Sequence, residues 1–140
     1  LYEANLIALI GASILPSPTT HLGPAALAGC TQLTEVQLPD TLGSIGDGAF
    51  RGCPQLSDLV LPASITHIGD GAFEECAQLA TLTIPAAVVR VGVAAFNGCT
   101  TLTSIHLPDG LSHIDARAFY GCHSLTDLKL PGRLAAIGDD

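Results

Sequence analysis

Five cysteines, Cys30, Cys53, Cys76, Cys99 and Cys122, follow one another at intervals of 23 residues, and most other landmarks of the chain keep the same step. The pairs Leu15-Pro16, Leu38-Pro39, Leu61-Pro62, Ile84-Pro85, Leu107-Pro108 and Leu130-Pro131 open successive units, five of them complete and a sixth breaking off at Asp140. Self-similarity at a fixed period of roughly 20–50 residues marks an array in which each repeat stacks on the next. The expected organisation is therefore one solenoid domain over residues 15–140, with units starting at 15, 38, 61, 84, 107 and 130. Residues 1–14 form a divergent N-terminal segment, either a degenerate repeat or a cap.

From Leu61 one unit reads LPASITHIGDGAFEECAQLATLT. In the segment ahead of it, Leu56-Ser57-Asp58-Leu59-Val60-Leu61, Leu59 and Leu61 point one way and Asp58 and Val60 the other, the alternation of a short half-buried strand. Pro62 lacks an amide donor and ends that ladder, and Ile65 and Ile68 suggest a second short extended segment. Gly69 then turns the chain, and Asp70 is placed to cap a helix of one to two turns over Gly71 to Cys76, with Ala72, Phe73 and Cys76 inward. The fold expected is an α/β solenoid, a right-handed coil with parallel β-ladders of short strands and one short helical turn per repeat. One such unit cannot stand alone, because its few apolar side chains do not offset the entropy of ordering 23 residues. Stacking covers them, and it sets Phe50, Phe73, Phe96 and Phe119 in one interior column and the five cysteines in another.

The pattern Leu56-x-x-Leu59-x-Leu61 recurs from Leu33, Leu79, Leu102 and Leu125 and fits the opening of a leucine-rich repeat. It departs from the usual form at Thr41, Ser64, Ala87, Gly110 and Arg133, where Asn or Cys is customary. The stretches Ile45-Gly46-Asp47-Gly48-Ala49-Phe50-Arg51-Gly52-Cys53 and Val91-Gly92-Val93-Ala94-Ala95-Phe96-Asn97-Gly98-Cys99 resemble the BspA-like leucine-rich repeats, and the resemblance extends over residues 15–140. It departs at Leu27, which replaces Phe, at Pro24, and at Glu75 and Asp115, which stand where Gly is usual. Members of that family are surface or secreted proteins of bacteria and protists used in adhesion and in protein or matrix binding. The resemblance implies a non-catalytic role of the same kind, at the cell surface or outside the cell, with a protein or glycan partner.

Charge and motif content narrow the chemistry. Thirteen Asp and Glu against five Lys and Arg leave a formal charge of −8, which repels phosphate and argues against nucleic acid or an anionic membrane as a partner. The most apolar stretch, Leu6 to Ile10 and on through Gly11 and Ala12, is too short for a membrane-spanning helix. A line of thiols one coil apart cannot converge on zinc, and parallel side chains with an odd count disfavour disulfides, so buried free thiols are expected. Three histidines, His21, His67 and His113, share a column in alternate units with Ser44 and Arg90 between, and alternate rungs lie roughly 10 Å apart, too far for one metal. These three, with His106 and His123, read as exposed turn residues. No catalytic triad, GxSxG or phosphate-loop pattern occurs, so neither enzyme chemistry nor a cofactor or metal site is expected.

Two surfaces are left as candidates. The outward strand positions form one column of Glu35, Asp58, Thr81, Ser104 and Asp127 and a second of Gln37, Val60, Thr83, His106 and Lys129, a polar face that serves either for docking or simply for solvation. The ends carry no evident polar cap, the chain reaching Ile137-Gly138-Asp139-Asp140 where the next turn would begin, so that either it is cut from a longer solenoid or its ends meet those of other copies. Head-to-tail stacking into a filament or coat is therefore the alternative to ligand binding.

Overall fold

The computed structural model describes residues 11–15 and 18–139. Its regular elements there are twelve short strands: β1 (Gly11–Ile14), β2 (His21–Leu22), β3 (Leu33–Gln37), β4 (Ser44–Ile45), β5 (Asp58–Leu59), β6 (His67–Ile68), β7 (Thr81–Thr83), β8 (Arg90–Val91), β9 (Ser104–His106), β10 (His113–Ile114), β11 (Asp127–Leu128) and β12 (Ala136–Ile137). Odd-numbered strands stack along one side of the solenoid and even-numbered strands along another, all parallel. The register repeats the step of the sequence, with Val36 beside Leu59, Ile45 beside Ile68, Leu82 beside Ile105 and Ile114 beside Ile137. Of the N-terminal segment, residues 1–10 lie outside the described residues, as does Pro16. Gly11–Ile14 pairs with β3, with one irregularity between Gly11 and Ala12.

The proline of each Leu-Pro pair does more than end a ladder. Its carbonyl accepts the amide three residues on, from Leu42 to Pro39 (3.0 Å), Ile65 to Pro62 (3.1 Å), Val88 to Pro85 (3.1 Å) and Leu111 to Pro108 (3.0 Å), closing the turn between the two strand lines. The same turn buries Leu42, Ile65, Val88 and Leu111 completely.

The helical turn expected over Gly71 to Cys76 does not form, and no helix is present among the described residues. The segment is a chain of overlapping turns in which amides alternate between two destinations. Ala72, Glu74 and Cys76 donate three residues back to Gly69, Gly71 and Phe73, whereas Gly71, Phe73 and Glu75 donate to Val93, Ala95 and Asn97 of the next coil at 2.7–2.8 Å. A helix would direct all of these amides along its own axis and none sideways to the next coil. Left-handed backbone at Gly71 (φ 59°) and Glu75 (φ 61°) prevents one and turns every second amide outward. Asp70, expected as a helix cap, serves instead as a bridge between coils. Its Oδ1 accepts the Val93 amide at 2.9 Å, and its own amide donates to Asp47 Oδ1 at 2.8 Å.

Inside these three lines equivalent side chains lie over one another. The rings of Phe50, Phe73, Phe96 and Phe119 stack with centroids 5.3, 5.3 and 5.6 Å apart and planes within 6° of parallel. The five cysteines are free, with Cys53, Cys76 and Cys99 buried and Cys30 and Cys122 half-buried. Four thiols donate to carbonyls of the preceding coil: Cys53 to Leu27 (3.1 Å), Cys76 to Phe50 (3.2 Å), Cys99 to Phe73 (3.2 Å) and Cys122 to Phe96 (3.1 Å). Burial raises all five thiol pKa values, to about 12 for Cys53 and Cys99 and about 11 for Cys122.

Close coil spacing leaves no room for a side chain at Gly69, where the turn line begins. A Cβ on Gly69 would lie 2.5 Å from the Asp47 amide nitrogen and 2.7 Å from the Gly46 carbonyl carbon, whereas one on Gly132 would meet nothing within 4 Å. Gly69→Ala is expected to cost about 1–3 kcal/mol in urea unfolding, and Gly132→Ala to stay within about 0.5 kcal/mol of the parent.

The thiols make stability depend on pH. An unfolded thiol loses its proton near 9, and the folded ones hold theirs to about 11–12. Above pH 9 the unfolded chain therefore binds fewer protons, and stability falls as pH rises. Urea unfolding followed from pH 7 to 11 should show this decline, with a shallower slope in a Cys53→Ala/Cys99→Ala variant.

Candidate binding face

The strand side of odd-numbered strands presents its alternate residues outward because β3, β5, β7 and β9 bury Val36, Leu59, Leu82 and Ile105 on the other side. Glu35, Gln37, Asp58, Val60, Thr81, Thr83, His106, Asp127 and Lys129 are exposed, and Ser104 is half-buried. Two lateral neighbours are carboxylates, Glu35 beside Asp58 across the β3–β5 pair. Like charges so placed are mildly destabilising, and the fold gains nothing visible from them.

These ten residues do not form one site. The early ones, Glu35, Gln37, Asp58, Val60 and Thr81, line an open groove of about 590 Å³, completed by Asp40, Ser57 and Pro62 among others, with no basic residue in its wall. Val60 stands in it 82% exposed, an aliphatic side chain left in water on a position that is Ile14, 73% exposed, in the first coil and Gln, Thr, His or Lys in the others. The later ones, His106, Asp127 and Lys129, line a second groove of about 500 Å³ with Asp109, and there both charge signs meet. Thr83 and Ser104 belong to neither groove. Reading alternation alone misses Asp40 and Asp109, which follow the Leu-Pro pair. A signal for them is in the sequence: the residue after that proline is acidic in these two units and Ala or Gly in the next ones, at Ala63, Ala86 and Gly132.

On the turn line the side chains tie coils to one another. Arg51 Nη2 pairs with Glu74 Oε2, and Asn97 Nδ2 donates to Glu74 Oε1 at 2.9 Å, so three successive coils share one carboxylate. Arg90 Nε pairs with Asp115, one of the two acids standing where the repeat usually has glycine. The histidines of the even-strand column are exposed and occupied locally. His21 Nδ1 lies 2.6 Å from Ser44 Oγ, His67 Nδ1 2.7 Å from Thr66 Oγ1, and His113 Nδ1 2.8 Å from Ser112 Oγ. Among the described residues no group of three or more His, Cys, Asp or Glu is arranged to hold a metal ion, and no helix is long and apolar enough to cross a membrane.

Known proteins share this architecture. The family described as BspA type leucine rich repeat region matches residues 20–140 in six copies. A leucine-rich-repeat protein of T. pallidum superposes with a TM-score of 0.82 at 29% identity, over 92% of this chain and 73% of that one. A leucine-rich-repeat protein of Bacteroides ovatus does so with a TM-score of 0.70 at 28% identity, over 92% of this chain and 39% of that one. A leucine rich cell surface protein of Faecalibacterium prausnitzii shares the fold with a TM-score of 0.52 at 22% identity, over 91% of this chain and 49% of that one. This chain thus spans less than half the length of the second and third. No curated protein matches it. Six copies of the repeat over 121 of 140 residues place the chain in the family of BspA-type leucine-rich-repeat proteins.

Proposed function

We propose that the chain is a non-catalytic binding module of a surface or secreted protein, and that the groove beside β3 and β5 is where a protein or glycan partner docks. The observation that carries this reading is the joint exposure of Val60 and of the paired carboxylates Glu35 and Asp58 in a wall without a balancing cation. Neither feature helps the fold: the aliphatic side chain gains by being covered, and the two acids gain by meeting a positive group. The family supports the same role, since a stack of short strands offers a broad rigid face on which outward residues vary without disturbing the interior.

The test is retention of the purified chain on immobilised extracellular-matrix proteins and on a glycan array. Glu35→Lys/Asp58→Lys/Asp127→Lys is expected to weaken retention by about tenfold or more, a loss of about 1.4 kcal/mol, with the thermal midpoint unchanged. Undiminished retention would count against the reading.

A second role, head-to-tail assembly, has an observation of its own. Leu128, Leu130 and Ile137 are 38%, 47% and 59% exposed, in columns whose earlier members Leu59, Leu61 and Ile68 are buried. A further parallel coil in the same register would cover them; a continuation of the same chain would do so within one molecule, and in this reading a second copy does. Light scattering over a dilution series and electron microscopy should then show rods that lengthen with concentration. Short particles of one size at high concentration exclude it.

A further inference from the structure

We infer that the solenoid contains a hinge at the junction of β5 and β6 with β7 and β8, fastened along the turn line and open along both strand lines. The sheets themselves mark the place. Strands β1, β3 and β5 form one sheet and β7, β9 and β11 another, and likewise β2, β4 and β6 are separate from β8, β10 and β12. No ladder joins β5 to β7 or β6 to β8.

The loss is local and coincides with a change in the residues present. At the preceding junction Ser57, Thr66 and Gly69 donate their amides to Thr34, Gly43 and Ile45 at 2.8–2.9 Å, and at the following one Thr103, Ser112 and Asp115 donate to Ala80, Val89 and Val91 at 2.8–3.0 Å. Hydroxyls reinforce both. Ser57 Oγ reaches Thr34 O, Ser64 Oγ reaches Leu42 O and Thr66 Oγ1 reaches Gly43 O on one side, while Thr103 Oγ1 reaches Ala80 O and Ser112 Oγ reaches Val89 O on the other. At the junction between them two of these columns hold Ala80 and Val89, which have no hydroxyl to give. Backbone and side-chain fasteners are therefore missing together, on both strand lines, at one coil boundary.

The turn line crosses that boundary intact. Gly71, Phe73 and Glu75 donate to Val93, Ala95 and Asn97, Asp70 Oδ1 takes the Val93 amide, Asn97 bonds Glu74, and the Phe73 and Phe96 rings stack at 5.3 Å. Between the open lines Leu59, Leu82, Ile68 and Val91 stay buried, held by apolar contact, which is non-directional and tolerates small changes of angle better than a hydrogen-bonded ladder does. A body fastened along one edge and merely in contact elsewhere opens about that edge. The groove around Val60 straddles the boundary, with Ser57 and Asp58 on one lip and Thr81 on the other, so hinge motion alters its width.

Spin labels test this directly. In a background in which Cys30 and Cys122 are replaced by Ala, one label pair at Gln37→Cys and Lys129→Cys spans four rungs on the strand side. A second pair, Ala28→Cys and Tyr120→Cys, spans four rungs on the turn side, each span being about 19 Å. The expected result is a broad distance distribution on the strand side and a narrow one on the turn side. Ala80→Thr/Val89→Thr, which restores the absent hydroxyls, should narrow the first to match the second. Equal widths in the parent, or a strand-side width that the restored hydroxyls leave unchanged in a folded variant, overturn the inference. Should that variant not fold, amide exchange of the unlabelled parent decides. Faster exchange over 80–83 and 89–92 than over the equivalent 103–106 and 112–115 supports the hinge, and equal rates overturn it.

Discussion

Everything in this molecule depends on a coil meeting its own kind at a constant step of 23 residues. No coil has an interior of its own. The Phe50, Phe73 and Phe96 rings are fully buried only because each has a neighbour above and below, and the chain continues the column to Phe119, whose outer side is already less covered. The polar backbone obeys the same rule. On the turn line every second amide is satisfied inside its own turn and the remainder in the next coil, so the covalent chain and the stack divide the hydrogen bonds between them. The cysteines complete the arrangement: a carbonyl such as Phe50 O already accepts the Cys53 amide, and its second lone pair takes the Cys76 thiol. A small, weakly polar side chain suits that position, because it fills apolar space and still offers a donor.

Much of this was legible in the sequence, because translation by a fixed number of residues is a property that a sequence displays directly. The Leu-Pro pairs, the alternation around Leu59 and the column of Phe50, Phe73, Phe96 and Phe119 all follow from the step and from the two faces of a strand. What escaped was the conformation between Gly69 and Cys76. Ala72, Phe73 and Cys76 are spaced as on a helix, yet a succession of turns places the same residues inward and frees amides for the next coil. Glycine at 48, 52, 71, 98 and 121 hinted at left-handed backbone, and the hint was masked by Ala25, Glu75, Ala94 and Arg117, which adopt it without being glycine. Such residues lie in a region that costs roughly 1–2 kcal/mol for a residue with a side chain, and the bonds to the neighbouring coil hold them there.

The candidate site was legible only in outline. Alternation identified which residues of β3, β5, β7, β9 and β11 point outward, since that depends on neighbours in the chain. How those residues group into grooves depends on the loops after Pro39 and Pro108, whose shape comes from packing between coils. Asp40 and Asp109 therefore entered with the structure. The same holds for the interrupted ladders: Ala80 and Val89 are unremarkable apolar choices one at a time, and they acquire meaning only when seen as two gaps in two hydroxyl columns at one level.

The constant register has a bearing on how such a chain can change length. Because the contacts between coils join residues about one step apart, gain or loss of a whole 23-residue block by recombination leaves each surviving interface as it was. A deletion of a single residue would shift every column above it out of line. Variation in this architecture is accordingly quantised: lineages can lengthen or shorten the rod by blocks, and the position of the interrupted ladder within it would travel with the stretch that carries Ala80 and Val89.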